Sequence, residues 1–443
     1  MKIKLVKNCI NPVDLSIGSA RTCYSQDLKE PEEISNWDKK ESLLQDLFKS
    51  GHHTTLQHYN FTFLMSGISR LSIWRFFHSH RFYNSDQVSQ RYTEVKSESF
   101  LYLNDRIEVY HDSLINKYKK ISDLLIVDFE KSSNPVERKL AKKKAMENAR
   151  YILPQSVKAN MYHTINLSTL LRYHEGKSLV KDCQEEIVEI VENMVNLVLE
   201  EYPELKSLFS NTKEKEECNI YNKEIISFYK KNLKTELENI YIPESQNNNL
   251  FYGDTSGMSA LFNQEIGNSS ITFNLLLSLS ADSQNQRHRT AYGIRPELTE
   301  IIKRGYYANI DNYYIPEAIR KNKIALDIFV DAILESILIL NREEDKYKSY
   351  LLLNAFKIPI KETSSALDFI HKAEKRLCLN SQEEILELTR SMVEEIKNSG
   401  YEKYAKELTV PPCVKRARSN IGPICPEGPR FCGVKEWKSK KYI

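Results

Sequence analysis

Two arginine-rich segments hold the residues best suited to grip a phosphorylated ligand. The first, FFHSHRFYNSDQVSQRY (Phe76–Tyr92), carries His80 and Arg81, then Ser89 and Arg91 further on. The second, SADSQNQRHR (Ser280–Arg289), ends on the same pair as His288-Arg289, with Arg287 before it. Guanidinium groups hold phosphate oxygens through paired, charge-assisted hydrogen bonds. Gln284 precedes Arg287 by three positions and His288 by four, so a helix would put all three on one face. Ser89 and Arg91 alternate, so an extended segment could turn both toward one ligand.

The elements that must position these segments recur along the chain. RLSIWRFFHSHR (Arg70–Arg81) pairs with SLSADSQNQRHR (Ser278–Arg289). YILPQSVKANMYHTIN (Tyr151–Asn166) pairs with YLLLNAFKIPIKETSS (Tyr350–Ser365), and CQEEIVEIVENMV (Cys183–Val195) with SQEEILELTRSMV (Ser381–Val393). Three matched blocks in one order predict a duplicated unit. HYNFTFLMSG alternates around Phe61, Phe63 and Met65 as a half-buried strand does, and ITFNLLLSLS repeats that run. DRIEVYHDSLINKYKKISDLLIVDF, LVKDCQEEIVEIVENMVNLVLEEY and IPEAIRKNKIALDIFVDAILESILIL have the spacing of long amphipathic helices. Helical spacing also runs through SRLSIWRFFHSHRF and SADSQNQRHRTA, and Trp74 and Phe77 read as core. Each unit is therefore an α+β arrangement, a mixed sheet packed with several long helices. The expected division is 1–215 and 216–443, with the link inside the polar stretch Phe209–Glu224.

The 443 residues are 41% hydrophobic and 28% charged, a composition that folds and can bury two ordinary cores. A net charge of +3 from 63 basic and 60 acidic residues gives no one-signed field, so a nucleic-acid partner is not expected. No apolar run reaches membrane-spanning length, and MKIKLVKNCINP has neither the apolar core nor the cleavage site of an export signal, so a cytoplasmic location is expected. Eight cysteines without such a signal argue against a disulfide framework. Cys413, Cys425 and Cys432 cluster near the end without any CxxC pair. Structural thiols or a redox-labile tail outweigh a metal there, which would need Cys378 or a histidine as fourth ligand; no metal site is assigned.

Ser79-His80-Arg81, seven residues, then Ser89-Gln90-Arg91 resembles the signature of the flavin-dependent thymidylate synthases (the ThyX type), R-H-R-x7-S-x-R. SARTCYSQ, SGHHTTLQHYNFTF and ARYILP in the first half match landmarks of that family. So do QNQRHR, YYIPEAI, RLCLNSQEEI and the tail PPCV…CPEGPRFCG in the second. The resemblance implies FAD as cofactor, NADPH as reductant, methylenetetrahydrofolate as carbon donor and dUMP as substrate, with dTMP as product. Related flavin-dependent chemistry on another pyrimidine nucleotide, such as hydroxymethylation, and a homologue that binds without catalysis are the alternatives. The cofactors carry the reaction while the protein positions them, so no protein nucleophile is required.

In that family each site is shared between subunits. One offers the Gln-x-x-Arg-His-Arg segment and a late-helix arginine; its neighbour offers Ser-x-Arg and the arginine of Ala-Arg-x-x-Leu-Pro. Here the first half keeps Ser89, Arg91 and Arg150 but has Phe76, Ser79 and Lys177 at the other positions. The second half keeps Gln284, Arg287, His288, Arg289 and Arg376 but has Glu297, Thr299 and Ser349. The resemblance thus implies one composite site: Ser89, Arg91, Arg150, Gln284 and Arg287 toward dUMP, and Arg287, His288 and Arg289 toward FAD. Gln87, Asn166 and His371 stand at further flavin-contacting positions, and Arg376 at the place that assists ionisation of the pyrimidine. The opposite pairing would set Glu297 against phosphate, which repels it. Since the family is commonly tetrameric, two chains are expected to form an equivalent homodimer. His53 and His58 match an H-x4-H landmark, with flavin-lining and structural roles both open.

Overall fold

The computed structural model describes residues 1–6, 10–23, 25, 29–210, 229, 235–242 and 268–439. It contains two four-stranded sheets of identical order. Strands β1 (Lys2–Val6), β2 (Asn60–Ser69), β3 (Asn84–Gln87) and β4 (Lys158–Asn166) run β1-β2-β4-β3. Strands β5 (Thr235–Tyr241), β6 (Ser270–Ser278), β7 (Tyr292–Ile294) and β8 (Lys357–Ser364) run β5-β6-β8-β7. The α+β class and the repeat are present; the sheets, expected as mixed, pair antiparallel throughout. Phe61, Phe63 and Met65 all point into the core, as their alternation predicts. The repeat extends to single contacts: Thr62 meets Thr164 across β2 and β4 at 2.9 Å, and Thr272 meets Thr363 across β6 and β8 at 3.0 Å. Gly67 sits at the bulge in β2 with φ of +73°, a conformation that favours glycine.

Long helices cover the sheets. Asp105–Glu130 begins at Asn104, whose side chain accepts from the Ile107 amide, and its buried stripe of Ile107, Tyr110, Leu114, Tyr118, Ile121 and Leu125 has helical spacing. It packs on Lys323–Arg342 of the second half, where Lys117 meets Glu335 at 2.6 Å and Asp331 at 2.7 Å. The helix expected to run unbroken through residues 315–340 stops at Lys321, because Asn322 leaves helical geometry to cap the next one through the Ala325 amide. The other long helix stands as Gln184–Glu201. Most of the expected linker, residues 211–224, together with Cys9 and Cys218, lies outside the described residues. No helix among the described residues is long and apolar enough to cross a membrane.

A pseudo-twofold relation joins the halves. The Gln155 amide donates to Leu352 O at 3.0 Å and the Asn354 amide to Leu153 O at 2.8 Å. Ser156 donates to Tyr350 O and Ala355 to Tyr151 O, each at 2.8 Å, completing the exchange. Two buried carboxylates repeat it in side chains. Glu186 accepts from the Ser69 amide and hydroxyl and from Tyr350 of the other half, at 2.7, 2.6 and 3.1 Å. Glu384 accepts from the Ser278 amide and hydroxyl and from Tyr151, at 2.7, 2.5 and 2.7 Å.

Candidate active site

A cavity of about 430 Å³ opens on this seam. From the first half it is lined by Arg70, Gln87, Ser89, Arg91 and Arg150, and from the second by Gln284, Arg287, His288, Lys375 and Arg376. β3 ends at Gln87, and residues Ser89–Thr93 turn on the Ser89 carbonyl instead of running extended, so Ser89 and Arg91 reach the cavity by a turn. Leu279–Asn285 is helical, but the helix stops before Arg287; two successive three-residue turns, Arg287 to Gln284 and His288 to Asn285, then carry both side chains to the wall. Arg376 closes the helix Ala366–Arg376 and donates to Gln284 O at 2.7 Å.

Among the described residues no carboxylate lines this cavity, whereas five arginines and a lysine do. Burial, then repulsion from Arg287 and Arg91, lowers the Arg376 pKa to about 10. Burial, then Arg150, lowers Arg70 to about 9. Burial also holds His288 neutral, well below the ordinary imidazole range. Several buried polar atoms along the wall have no protein partner: Gln87 Oε1, Gln90 Nε2, Arg150 Nε, Gln284 Oε1, His288 Nε2 and Arg376 Nε. Such groups are costly unless something hydrogen-bonds them, and a wall rich in cations attracts anions even though Glu147 backs Arg91 and Asp86 lies 3.8 Å from Arg287. The wall fits a nucleotide-sized anion.

The expected residues are not all on that wall. Arg289 stacks on Tyr83 at 5.0 Å and donates to Asn84 Oδ1 at 2.8 Å, on the exposed side of β3. His371 lies behind His288, ring centroids 6.2 Å apart. Asn166 caps its own helix through the Thr169 amide at 2.8 Å and is not part of the cavity wall. His53 bonds Phe48 O at 3.1 Å and stacks on the Phe48 ring, away from the cavity. Arg70 and Lys375 were not expected. Arg70 donates to Val88 O at 2.8 Å from the end of β2, and only its place beside the repeated helix start marked it in the sequence. A relay behind the wall was not legible either: Gln382 bonds Gln284, Tyr151 and, at 2.7 Å, Arg150.

The mirror positions are filled by the protein itself. Arg75 pairs with buried Asp182 at 2.8 Å and approaches Glu297 Oε1 at 3.9 Å, while the Thr299 amide donates to Asp182 at 2.8 Å. Lys177, at the late-helix position, faces Glu192 at 3.6 Å and His174 at 3.4 Å within its own half. Phe76 packs on Tyr173 at 4.9 Å, and the Tyr173 hydroxyl bonds both His80 and His163. Burial lowers His78 to about 3 and His80 to about 4, and His163 well below its ordinary value. In the second half the positions of Phe77, His163 and Tyr173 hold Asn285, Glu362 and Lys372, which form a buried hydrogen-bonded ion-pair cluster.

These features define a duplicated α+β protein with one cationic cavity between its halves. A family model described as thymidylate synthase complementing protein matches residues 4–204 and 263–399. The chain belongs to that family, and carries it twice. A flavin-dependent thymidylate synthase of Clostridium tetani is 29% identical over 217 residues, covering 46% of this chain and 85% of that protein. One from Pyrococcus horikoshii is 30% identical over 217 residues, covering 47% and 82%. Among solved structures, ThyX from Helicobacter pylori complexed with FAD and dUMP aligns at 18% identity and a TM-score of 0.34, over 47% of this chain and 99% of that one. The UMP/dUMP methylase PolB from Streptomyces cacaoi, bound with 5-Br dUMP, aligns at 18% and 0.33, over 48% and 96%.

Proposed function

We propose that this chain, as 1–215 and 216–443 paired across the seam, methylates dUMP reductively to dTMP at this one composite cavity. FAD is its cofactor, methylenetetrahydrofolate the carbon donor and NADPH the reductant. The observation that carries the reading is the meeting of Ser89, Arg91 and Arg150 with Gln284, Arg287, His288 and Arg376 around one cavity without a carboxylate.

Arg91 is held from behind by Glu147 and by Asn380 O at 2.8 Å, and with Arg150 and Ser89 it takes the nucleotide phosphate. Gln284 and Arg287 orient the nucleotide, and Arg70 adds charge at the same end. Arg376, on the cavity wall, is assigned to the negative charge that develops on the pyrimidine; a buried, preorganised cation lowers the cost of that charge. FAD, when bound, supplies hydride chemistry. Neutral His288 with Arg287, and Arg289 at the rim beside Tyr83, would hold it, with Gln87 facing the same space and His371 supporting His288. Asn166, whose Oδ1 caps its own helix, would offer the flavin its side-chain NH2. Two chains form a homodimer in this reading, which the solution mass checks.

The test is a titration of the purified chain with FAD and then dUMP, followed by assay of dTMP formation. The expected result is a yellow protein that binds about one dUMP per chain and oxidises NADPH only when dUMP and the folate are both present. A protein that stays colourless with FAD, or takes two dUMP per chain, sinks the one-site reading.

A further inference from the structure

The tail left out of the reaction carries a second site. Cys378, Cys413, Cys425 and Cys432 line one small cavity of about 120 Å³, with Lys375, Asn380 and Phe431 among its other walls. Cys378 follows the helix that ends at Arg376, Cys413 opens the short helix Pro412–Arg418, and the other two come from the loop beyond it. All four are free thiols. From these observations we infer that the four cysteines form a tetrathiolate site for a single borderline-soft divalent cation of the zinc class.

The physical case begins with what the loop lacks. None of residues 416–439 is buried, and the backbone bonds there are short-range turns. A segment with no fully buried residue does little to offset the entropy of ordering its backbone. Yet this one folds back onto Cys378. Small, core-poor segments of this kind are held by disulfides or metals. Four cysteine thiolates in tetrahedral array suit zinc and exclude hard cations such as magnesium or calcium. The spacing Cys425 to Cys432 is not the close run of a ferredoxin cluster. Lys375 lies at the cavity together with Glu427 and Glu436, and Lys415 on the helix behind Cys413 is paired with Glu374 at 2.5 Å.

The sulfurs line the cavity without yet converging, since no three of them lie within 4.8 Å of one another. A zinc–sulfur bond of about 2.3 Å implies sulfurs roughly 3.8 Å apart, so binding draws the loop inward. Apart from the bond from the Asn380 side chain to Arg430 O, the backbone of this loop makes local turns, which permit that movement.

The consequence for the main cavity rests on the proposed function. Asn380, two residues past Cys378, offers its carbonyl to Arg91 at 2.8 Å and donates its side-chain amide to Arg430 O at 2.6 Å. Gln382 then bonds Arg150 at 2.7 Å. Ligation of Cys378 therefore fixes the strip 378–382 against the two phosphate-facing arginines. Asn380 is a positioning residue.

The experiment is elemental analysis of the full chain purified with reductant and without chelator. About one zinc per chain is expected, and chelation followed by cobalt(II) should give the intense visible bands of a tetrahedral thiolate complex. Cys378→Ser and Cys425→Ser should each lose most of the zinc, while Cys23→Ser, at an exposed cysteine elsewhere, should keep it. Absence of zinc with four thiols open to a thiol reagent overturns the site, as does a disulfide among them or iron with acid-labile sulfide. Should the serine variants fail to fold, the wild-type zinc content and cobalt spectrum decide alone. A separate arm measures dUMP binding before and after chelation, where a loss of about tenfold is expected. An unchanged affinity removes the coupling and leaves the metal site standing; no dUMP binding in either state counts against the proposed function and not against the metal.

Discussion

The cavity and its mirror are built from the same backbone and have opposite electrostatics. On one side Arg91, Arg150, Arg287 and Arg376 meet around a cavity with no carboxylate among its described lining residues, and burial lowers the pKa of Arg150 and of Arg376. On the other, Arg75, Asp182 and Glu297 neutralise one another, and Phe76, His80, His163 and Tyr173 fill the remaining space. The difference teaches that one backbone frame accommodates either arrangement: an open cationic wall on one side, and internally paired and packed side chains on the other.

The comparison breaks most visibly by mutation at matched positions. Arg91→Ala and Arg376→Ala should each lower dTMP formation by on the order of 100-fold or more, as loss of a preorganised charged donor does. Thr299→Ala and Lys177→Ala should leave it within about twofold. Equal losses at Lys177 and Arg376 would mean that both composite positions work.

Acid should find the closed side first. His78 and His80 have folded pKa values of about 3 and about 4 against an ordinary 6.5, chiefly through burial. A depressed folded pKa gives stability that is present above pH 6.5 and lost as pH falls toward those values. Melting measured between pH 7 and pH 5 should show a fall on the order of 5 °C from this cluster. His80→Gln, which stays neutral, should flatten that slope; an unchanged slope would place the acid sensitivity elsewhere.

The smallest contrast lies in the matched tyrosines. Tyr350→Phe and Tyr151→Phe each remove a hydroxyl from a buried glutamate and should cost similar stability, about 1 kcal/mol. Only Tyr151 also bonds Gln382, behind Arg150 and Gln284. Its variant alone should weaken dUMP binding, by about threefold, with melting and binding measured on both proteins.

Much of this contrast was legible in residue types. Retained arginines and their replacements are visible wherever the repeat aligns, and the alternation around Phe61 marks β2 directly. What could not be read was tertiary. Nothing local distinguishes Arg75, which is consumed by Asp182, from Arg70, which lines the cavity five residues earlier. The turn at Ser89 and the early stop after Asn285 follow from how strand and helix ends are satisfied, which a residue count does not reveal. Asn166 has the right type, and its Oδ1 accepts from the Thr169 amide to cap its own helix, a use its residue type alone does not reveal.

The reciprocal exchange of amides between residues 151–156 and 350–355 has an evolutionary corollary. Main-chain donors and acceptors survive almost any substitution, so the halves could drift apart in side chains while their docking stayed intact. One continuous chain then fixes their stoichiometry, and two halves that differ in side chains are always delivered together.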